Sequence, residues 1–347
     1  MTEAIPFFEP TAIGRGTTAA AMVATGDATW LAGGVHGLAF TAVEHHSQVQ
    51  TRTLSLPEMR HNYPAALELL SRPRPDFAGL AMTGAQIMGI VNVTPDSFSD
   101  GGDNFSPTTA LARADAMLKA GASIIDVGGE STRPGSEPVA PEEEWRRVAP
   151  VIEDLVRQGV TVSLDSRNSS VMERAIDKGV RMINDVSALN HDPRAIEVVA
   201  RSQVPVILMH MRFDPATMNR APFYHNLLPD ILGELNHAVK RADAAGIARH
   251  NLMIDPGIGF AKNSVHNQGL MAHLAGLHGL GLPLLLGASR KGLLSGDANR
   301  RVEPKHRLGS SLTAALIGLA AGVHWLRVHD VFETAQAVEV WQAITRR

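Results

Sequence analysis

Eight short apolar runs, each breaking off at a polar or glycine residue, set the tightest limit on how this chain folds. They are Ile87–Val91, Ser123–Val127, Val160–Leu164, Arg181–Ile183, Val204–Met209, Asn251–Ile254, Pro283–Leu286 and His324–Val328. Their length and β-branched content suit buried strands. Between them lie longer stretches with apolar residues at helical spacing. Pro107 to Ala120 carries Leu111, Ala114, Met117 and Leu118 and stops at Gly121, and Pro141 opens another helix with Glu142, Glu143 and Glu144 where the dipole favours negative charge. A long helix over about Asp230 to Ala245 and a closing one over Val331 to Ile344 complete the pattern. Near-continuous apolar strands alternating with helices predict a parallel sheet covered on both faces. Eight such units predict an α/β chain folded as a (β/α)8 TIM barrel over 85–347, ahead of a doubly wound open sheet.

The placement of polar residues sharpens this. Asn92, Asp165, Asn184-Asp185, His210, Asp255 and His329-Asp330 each follow directly on a run, at the carboxyl end where eight loops of a barrel converge on a site. The first of these loops is dense in chemistry. Asn92, Thr94, Asp96, Ser97, Ser99 and Asp100 come before Gly101-Gly102, a set of oxygens suited to a hard cation.

Composition excludes several classes of function. A formal net charge of -3 leaves no basic excess for nucleic acid, so an anionic ligand needs a local site. The chain has no cysteine, hence no disulfide, thiolate chemistry or zinc-thiolate centre. No run approaches the ~18 apolar residues of a membrane span, and a cytoplasmic location is the default expectation.

Residues 1–84 stand outside the repeat and read as a small N-terminal extension, an α+β appendage with a strand at Leu38–Val43 and a linker at Ser71–Pro75. His45 and His46 are adjacent, so they point differently on any regular structure, and they read as a surface loop rather than as metal ligands.

Two long strings are specific enough to suggest a family. Ile87 to Gly102, IMGIVNVTPDSFSDGG, and Ile124 to Gly135, IIDVGGESTRPG, resemble the two signatures of dihydropteroate synthases. Shorter matches follow at Leu164-Asp165-Ser166, Ile183-Asn184-Asp185, Met209-His210-Met211, Asp255-Pro256-Gly257, Ser289-Arg290-Lys291 and Arg327-Val328-His329-Asp330. The resemblance implies an enzyme that condenses (7,8-dihydropterin-6-yl)methyl diphosphate with 4-aminobenzoate, in folate synthesis, and that sulfonamides target.

It also implies roles. Asp255, Asn184 and Asp165 would grip the pterin, with Lys291 donating to its acceptor edge; Thr132, Arg327 and His329 would hold the diphosphate, and Asn92 a Mg²⁺ ion. Asp96, Phe98, Asp100, Arg133 and Pro134 would build the aminobenzoate pocket with Phe260, and Asp96, Asp100, Arg133, Asp165 and Lys291 would carry the catalysis. For Arg327 the competing reading is an ion pair with Asp330 or Glu333. The chain departs from the family pattern at Gly292, where a serine is usual, and at Ala261, where glycine is usual. Missing that serine hydroxyl weakens the expectation for aminobenzoate and sulfonamide affinity. An Ala/Leu/Gly-rich face over Leu312 to Val323 suits the barrel wall or a dimer contact, and a homodimer is expected. Two other functions fit parts of the pattern: a pterin-dependent methyltransferase, and a non-catalytic relative that binds a partner through the extension.

Overall fold

The computed structural model of the chain describes residues 7–47, 50–94, 107–131, 136, 138–214, 218, 222–292 and 302–345. It begins with β1 (Phe7–Arg15), α1 (Gly16–Thr25), β2 (Thr29–Trp30), β3 (Leu38–His46), β4 (Thr51–Ser55), α2 (Leu56–Asn62) and α3 (Pro64–Ser71). β3 is the central strand. β1 runs antiparallel along one side of it, while β2 and β4 share the other. Leu31, Leu38, Phe40, Val43, Leu54, Leu56, Met59 and Leu70 form one buried cluster there. Ser55 and Glu58 close a reciprocal cap that starts α2.

His45 and His46 are not in a surface loop. They are the last residues of β3, paired with Phe8 and Phe7 across β1, and their rings stack at 4.8 and 4.3 Å. Cross-strand ring pairs of this kind, worth roughly 0.2–1 kcal/mol each, carry the strand three residues past Val43.

The repeat then unfolds in order: β5 (Gln86–Asn92), α4 (Pro107–Lys119), β6 (Ile124–Gly128), α5 (Pro141–Arg157), β7 (Val162–Asp165), α6 (Ser169–Asp177), β8 (Met182–Asp185), α7 (Ala195–Ser202), β9 (Val206–Met209), α8 (Leu227–Ala244), β10 (Leu252–Asp255), α9 (Ser264–Ala272), β11 (Leu285–Leu286), α10 (Leu308–Ala320), β12 (Trp325–Val328) and α11 (Val331–Thr345). The parallel sheet runs β10-β9-β8-β7-β6-β5-β12-β11, and a bridge between Ile254 and Leu284 brings its two edges together. The chain is a (β/α)8 barrel.

Strand parity separates its two cores. Ile87, Val91, Ile125, Val127, Val162, Leu164, Ile183, Val206, Leu208, Leu252, Ile254, Leu286, Leu326 and Val328 face outward into one cluster under the helices. Met88, Ile124, Met182, Ile207, Met253, Leu285 and Trp325 face inward and meet Phe77 and Met82, which come from the segment before β5. Each such side chain contributes about 1.5–3 kcal/mol on burial. The inward cluster closes the floor of the barrel and leaves the opposite rim to polar residues.

The extension is fastened to this framework. Phe7 joins the barrel's outer cluster, His36 Nε2 donates to the Val323 carbonyl at 2.7 Å, and Arg72 donates to the Gly281 carbonyl at 3.0 Å. The segment expected as a plain linker is pinned too. Arg74 is 6% exposed and donates to the carbonyls of Leu69, Arg72 and His278, and burial draws its guanidinium down to about 9.

Candidate active site

The register of the sheet aligns the rim. Asn92 pairs with Gly128, Gly128 with Asp165, and Asp165 with Asn184, so these residues form one row across β5, β6, β7 and β8. Beneath that row, Asp126 is fully buried on β6. Arg327, on β12, links the two levels: Nε donates to Asp126 Oδ2 at 2.6 Å and a terminal nitrogen donates to Asp165 Oδ2. Asn184 Nδ2 donates to the same Asp126 oxygen at 3.1 Å.

One guanidinium thus serves two carboxylates. Burial pushes Asp165 up to about 7; Arg327 pulls it back, and Asp126 adds to the rise. Burial works against the charge of Arg327, yet the two carboxylates raise its affinity for the proton further. Among the described residues Asp126 Oδ1 is buried with no hydrogen-bond partner. A half-satisfied carboxylate costs stability, and a donor arriving with a ligand would relieve it.

Asp255 ends β10 on the same rim. Its carboxyl is buried and accepts from the Gly257 N–H at 2.7 Å; burial raises it, and Lys291, that N–H and Arg327 oppose the rise. The Asp-Pro-Gly sequence is a geometric need. Gly257 sits at φ +68°, and a Cβ there would lie 2.0 Å from the His210 carbonyl oxygen. Gly259, at φ +83°, gives Lys291 its path, since a Cβ would stand 2.9 Å from Lys291 Cδ. Lys291 Nζ donates to the Ile258 carbonyl and lies 4.4 Å from the centre of the Phe260 ring. Burial draws Lys291 down to about 8, while Asp255 holds it up.

Below this loop Lys262 is almost wholly buried, donating to the Gly257 and Phe260 carbonyls at 3.0 Å and to His210 Nδ1 at 2.9 Å. Burial brings Lys262 to about 7 and His210 to about 4.

Asp165, Asn184, Asp255, Lys291 and Arg327 therefore share one rim, with Phe260 beside Lys291. The Arg327 pairing with Asp330 or Glu333 does not form; Arg290 takes Asp330 instead, at 2.5 and 3.0 Å. Ser289 Oγ accepts from the His329 N–H and meets its Nδ1, both at 3.2 Å, which orients that imidazole. Asp96, Phe98, Asp100, Thr132, Arg133 and Pro134 lie outside the described residues.

Gly292 is crowded rather than open. A Cβ there would meet the Arg307 guanidinium at 2.7 Å, so an arginine fills the place of the usual serine side chain. Sequence reading missed Asp126, Lys262 and the buried Glu130–Arg167 pair, joined at 2.9 and 3.0 Å, which ties the loop after β6 to the loop after β7. Asp126 carried a usable signal: a carboxylate two residues from the end of an apolar strand, on the inward parity. Glu144 was expected only to complement a helix dipole. It is buried, accepts from Asn168 Nδ2 at 2.7 Å, and desolvation pushes it up to about 7.

A Mg²⁺ ion can be tested against the donors present. The Asn92 amide oxygen faces Gly128, 3.7 Å from where a Cβ on that glycine would lie. Among the described residues no cluster of three carboxylates or imidazoles stands on the rim; the one such group, Glu9, Glu44 and His46, lies in the extension. A single amide oxygen suits an ion that keeps its waters and takes its other ligands from substrate phosphates.

The strand ends thus gather two carboxylates, an amide and two cations at one rim of the barrel. The family described as pterin binding enzyme matches residues 88–329, and the chain belongs to that family. Within it the relatives are dihydropteroate synthases. That of Escherichia coli K12 is 44% identical over 265 residues, covering 76% of this chain and 93% of the relative. The structure of the Yersinia pestis dihydropteroate synthase with a sulfonamide drug superposes with a TM-score of 0.72 at 44% identity, over 76% of this chain and 96% of that one. The Xanthomonas albilineans enzyme with 4-aminobenzoic acid gives 0.72 at 44% identity, over 78% and 98%. The chain is accordingly a transferase of the dihydropteroate synthase type. No helix among the described residues is long and apolar enough to cross a membrane.

Proposed function

We propose that the rim joins (7,8-dihydropterin-6-yl)methyl diphosphate to 4-aminobenzoate, releasing diphosphate and 7,8-dihydropteroate, with the described residues in particular roles. The observation that carries this is the convergence of Asp165, Asn184, Asp255, Lys291 and Arg327 on one set of strand ends. Asp255 accepts from the amino group and adjacent ring N–H of the pterin, which a carboxylate matches in pairs. Asn184 and Asp165 grip the same ring, and Lys291 donates to its acceptor edge.

Departure of diphosphate leaves a methylene cation conjugated with the ring. Arg327 and His329 attract the leaving anion, at the end of the barrel where such enzymes commonly bind phosphate. As the guanidinium turns toward diphosphate, Asp165 and Asp126 lose part of their shared cation and face the positive charge that develops. Asp165 acts there electrostatically and need not change protonation state. Mg²⁺, held by Asn92 and the substrate's own oxygens, would neutralise charge on the diphosphate. Thr132 adds a donor to that group, and Asp96, Asp100 and Arg133 join Phe260 in the aminobenzoate pocket, where the amine nitrogen attacks the methylene carbon and then loses a proton to solvent.

Residues 85–347 are the catalytic unit in this reading and residues 1–84 an appended one. A homodimer is supported by exposed apolar side chains on the last two helices, Ile317, Phe332, Val340 and Ile344; sedimentation reads it directly. Incubating the purified chain with the pterin diphosphate, Mg²⁺ and labelled 4-aminobenzoate tests the reaction. Labelled dihydropteroate is expected; a chain that binds pterin yet forms none contradicts the proposal.

A further inference from the structure

The extension carries a cluster that the pterin site does not use. Glu9 on β1 is 6% exposed although it is a carboxylate, and Glu44 and His46 flank it from β3. His46 Nε2 lies 3.3 Å from Glu44 Oε2 and 3.5 Å from Glu9 Oε2. It is buried, and among the described residues it makes a hydrogen bond to neither carboxylate nor to anything else. Its lone pair or proton points between two carboxylate oxygens that stand at ion-pair distance without closing a hydrogen bond.

We propose that this cluster is a binding site for a divalent zinc-class ion, ligated by Glu9, Glu44 and His46 at the seam between the extension and the barrel. The ligand atoms all lie within 4.8 Å of one another. Zinc bonds of about 2.0–2.1 Å in tetrahedral array put neighbouring ligand atoms about 3.3–3.5 Å apart, and the imidazole nitrogen stands 3.3 and 3.5 Å from the two carboxylates. Two carboxylates and a neutral imidazole also balance the charge of the ion. Magnesium is a poorer match, because it prefers six oxygens.

The surroundings orient these ligands. His46 Nδ1 is 3.0 Å from Thr51 Oγ1, so the hydroxyl can accept an Nδ1 proton when Nε2 turns its lone pair to an ion. From the barrel, His273 Nδ1 donates to Glu9 Oε2 at 2.8 Å and fixes that carboxylate. A cleft of about 380 Å³ lined by Phe7, His46, Thr51, Asn226 and His273 lies beside the cluster. An ion here would fasten β1 and β3 to each other and, through Glu9 and His273, to the segment after α9.

Equilibrium dialysis of the metal-stripped full-length chain against micromolar ZnCl2 tests this, with Mg²⁺ at millimolar concentration to occupy the rim. One zinc per chain is expected, with a higher Tm on loading. His46→Ala and Glu44→Gln should abolish that zinc, Thr51→Ala should weaken it by about 10- to 100-fold, and Asn92→Ala should leave it in place. Co²⁺ should give the strong visible bands of a four-coordinate site in wild type and lose them in Glu44→Gln. If His46→Ala fails to fold, Glu44→Gln decides, since its carboxylate is partly exposed. Absence of zinc from wild type, or zinc retained in Glu44→Gln, overturns the proposal and leaves a plain His–Glu ion-pair cluster.

Discussion

The two ends of the barrel are built from the same strands on the same inward parity, yet they have opposite chemistry. At the floor, Met88, Ile124, Met182, Ile207, Met253, Leu285 and Trp325 pack against Phe77 and Met82. Two residues further along β6, β8, β10 and β12, the same parity presents Asp126, Asn184, Asp255 and Arg327. The floor excludes water and holds the strands in register; the rim stores charge that a ligand can use. Stability and function are thereby assigned to different levels of a single cavity, a few ångströms apart along each strand.

Substitutions at the two levels should separate these quantities. The largest effect belongs to the floor: Trp325→Ala removes a fully buried indole and is expected to cost about 3–5 kcal/mol in urea unfolding. Trp325→Phe sharpens the point. Among the described residues the indole Nε1 has no hydrogen-bond partner, so its loss forfeits none and the substitution should cost less than Trp325→Ala. At the rim, Asp165→Asn should lower kcat/KM by about 100- to 1000-fold with little change in Tm. Equal losses of stability at both levels would break the comparison.

Acid supplies the next test. His210 and His278 are buried with their imidazoles held near 4 and 3 by desolvation, and His324 is lowered as well. Each binds its proton more readily in the unfolded chain, so the stability it contributes is present above about pH 6.5 and declines as pH falls toward its folded value. At pH 5 the loss is about 2 kcal/mol for His210 and for His278, measurable as a fall in Tm between pH 7 and pH 5, and His324 adds to it in the same direction. The smallest effect concerns Lys291. With its ammonium drawn down to about 8, kcat/KM should fall about tenfold per unit above that pH, and Lys291→Arg should remove the alkaline limb.

How much of this was legible beforehand follows the same division. Periodicity identified the eight strands, because burial on both faces forces continuous apolar runs. The rim residues Asn92, Asp165, Asn184 and Asp255 were legible because each is the first polar residue after such a run. Asp126, inside one, signals no more than an inward-facing carboxylate; nothing local indicates that Arg327, from the far end of the chain, reaches it. Lys262 was missed for a similar reason: its partners are backbone carbonyls and His210, which only the fold brings together. The extension was least legible. Its strand β3 ends on residues that resemble a polar loop, and what holds them in the sheet is ring stacking with Phe7 and Phe8.

In this enzyme the strand ends act as one pterin clamp with Asp255 at its centre. Calorimetric titration of the full-length chain with a pterin lacking diphosphate tests it most directly, in wild type, Asp255→Asn and the floor variant Met253→Leu. Binding is expected in wild type and Met253→Leu, with an affinity weaker by about 100-fold in Asp255→Asn, where a paired charge-assisted contact is lost. Equal affinity in wild type and Asp255→Asn would contradict it.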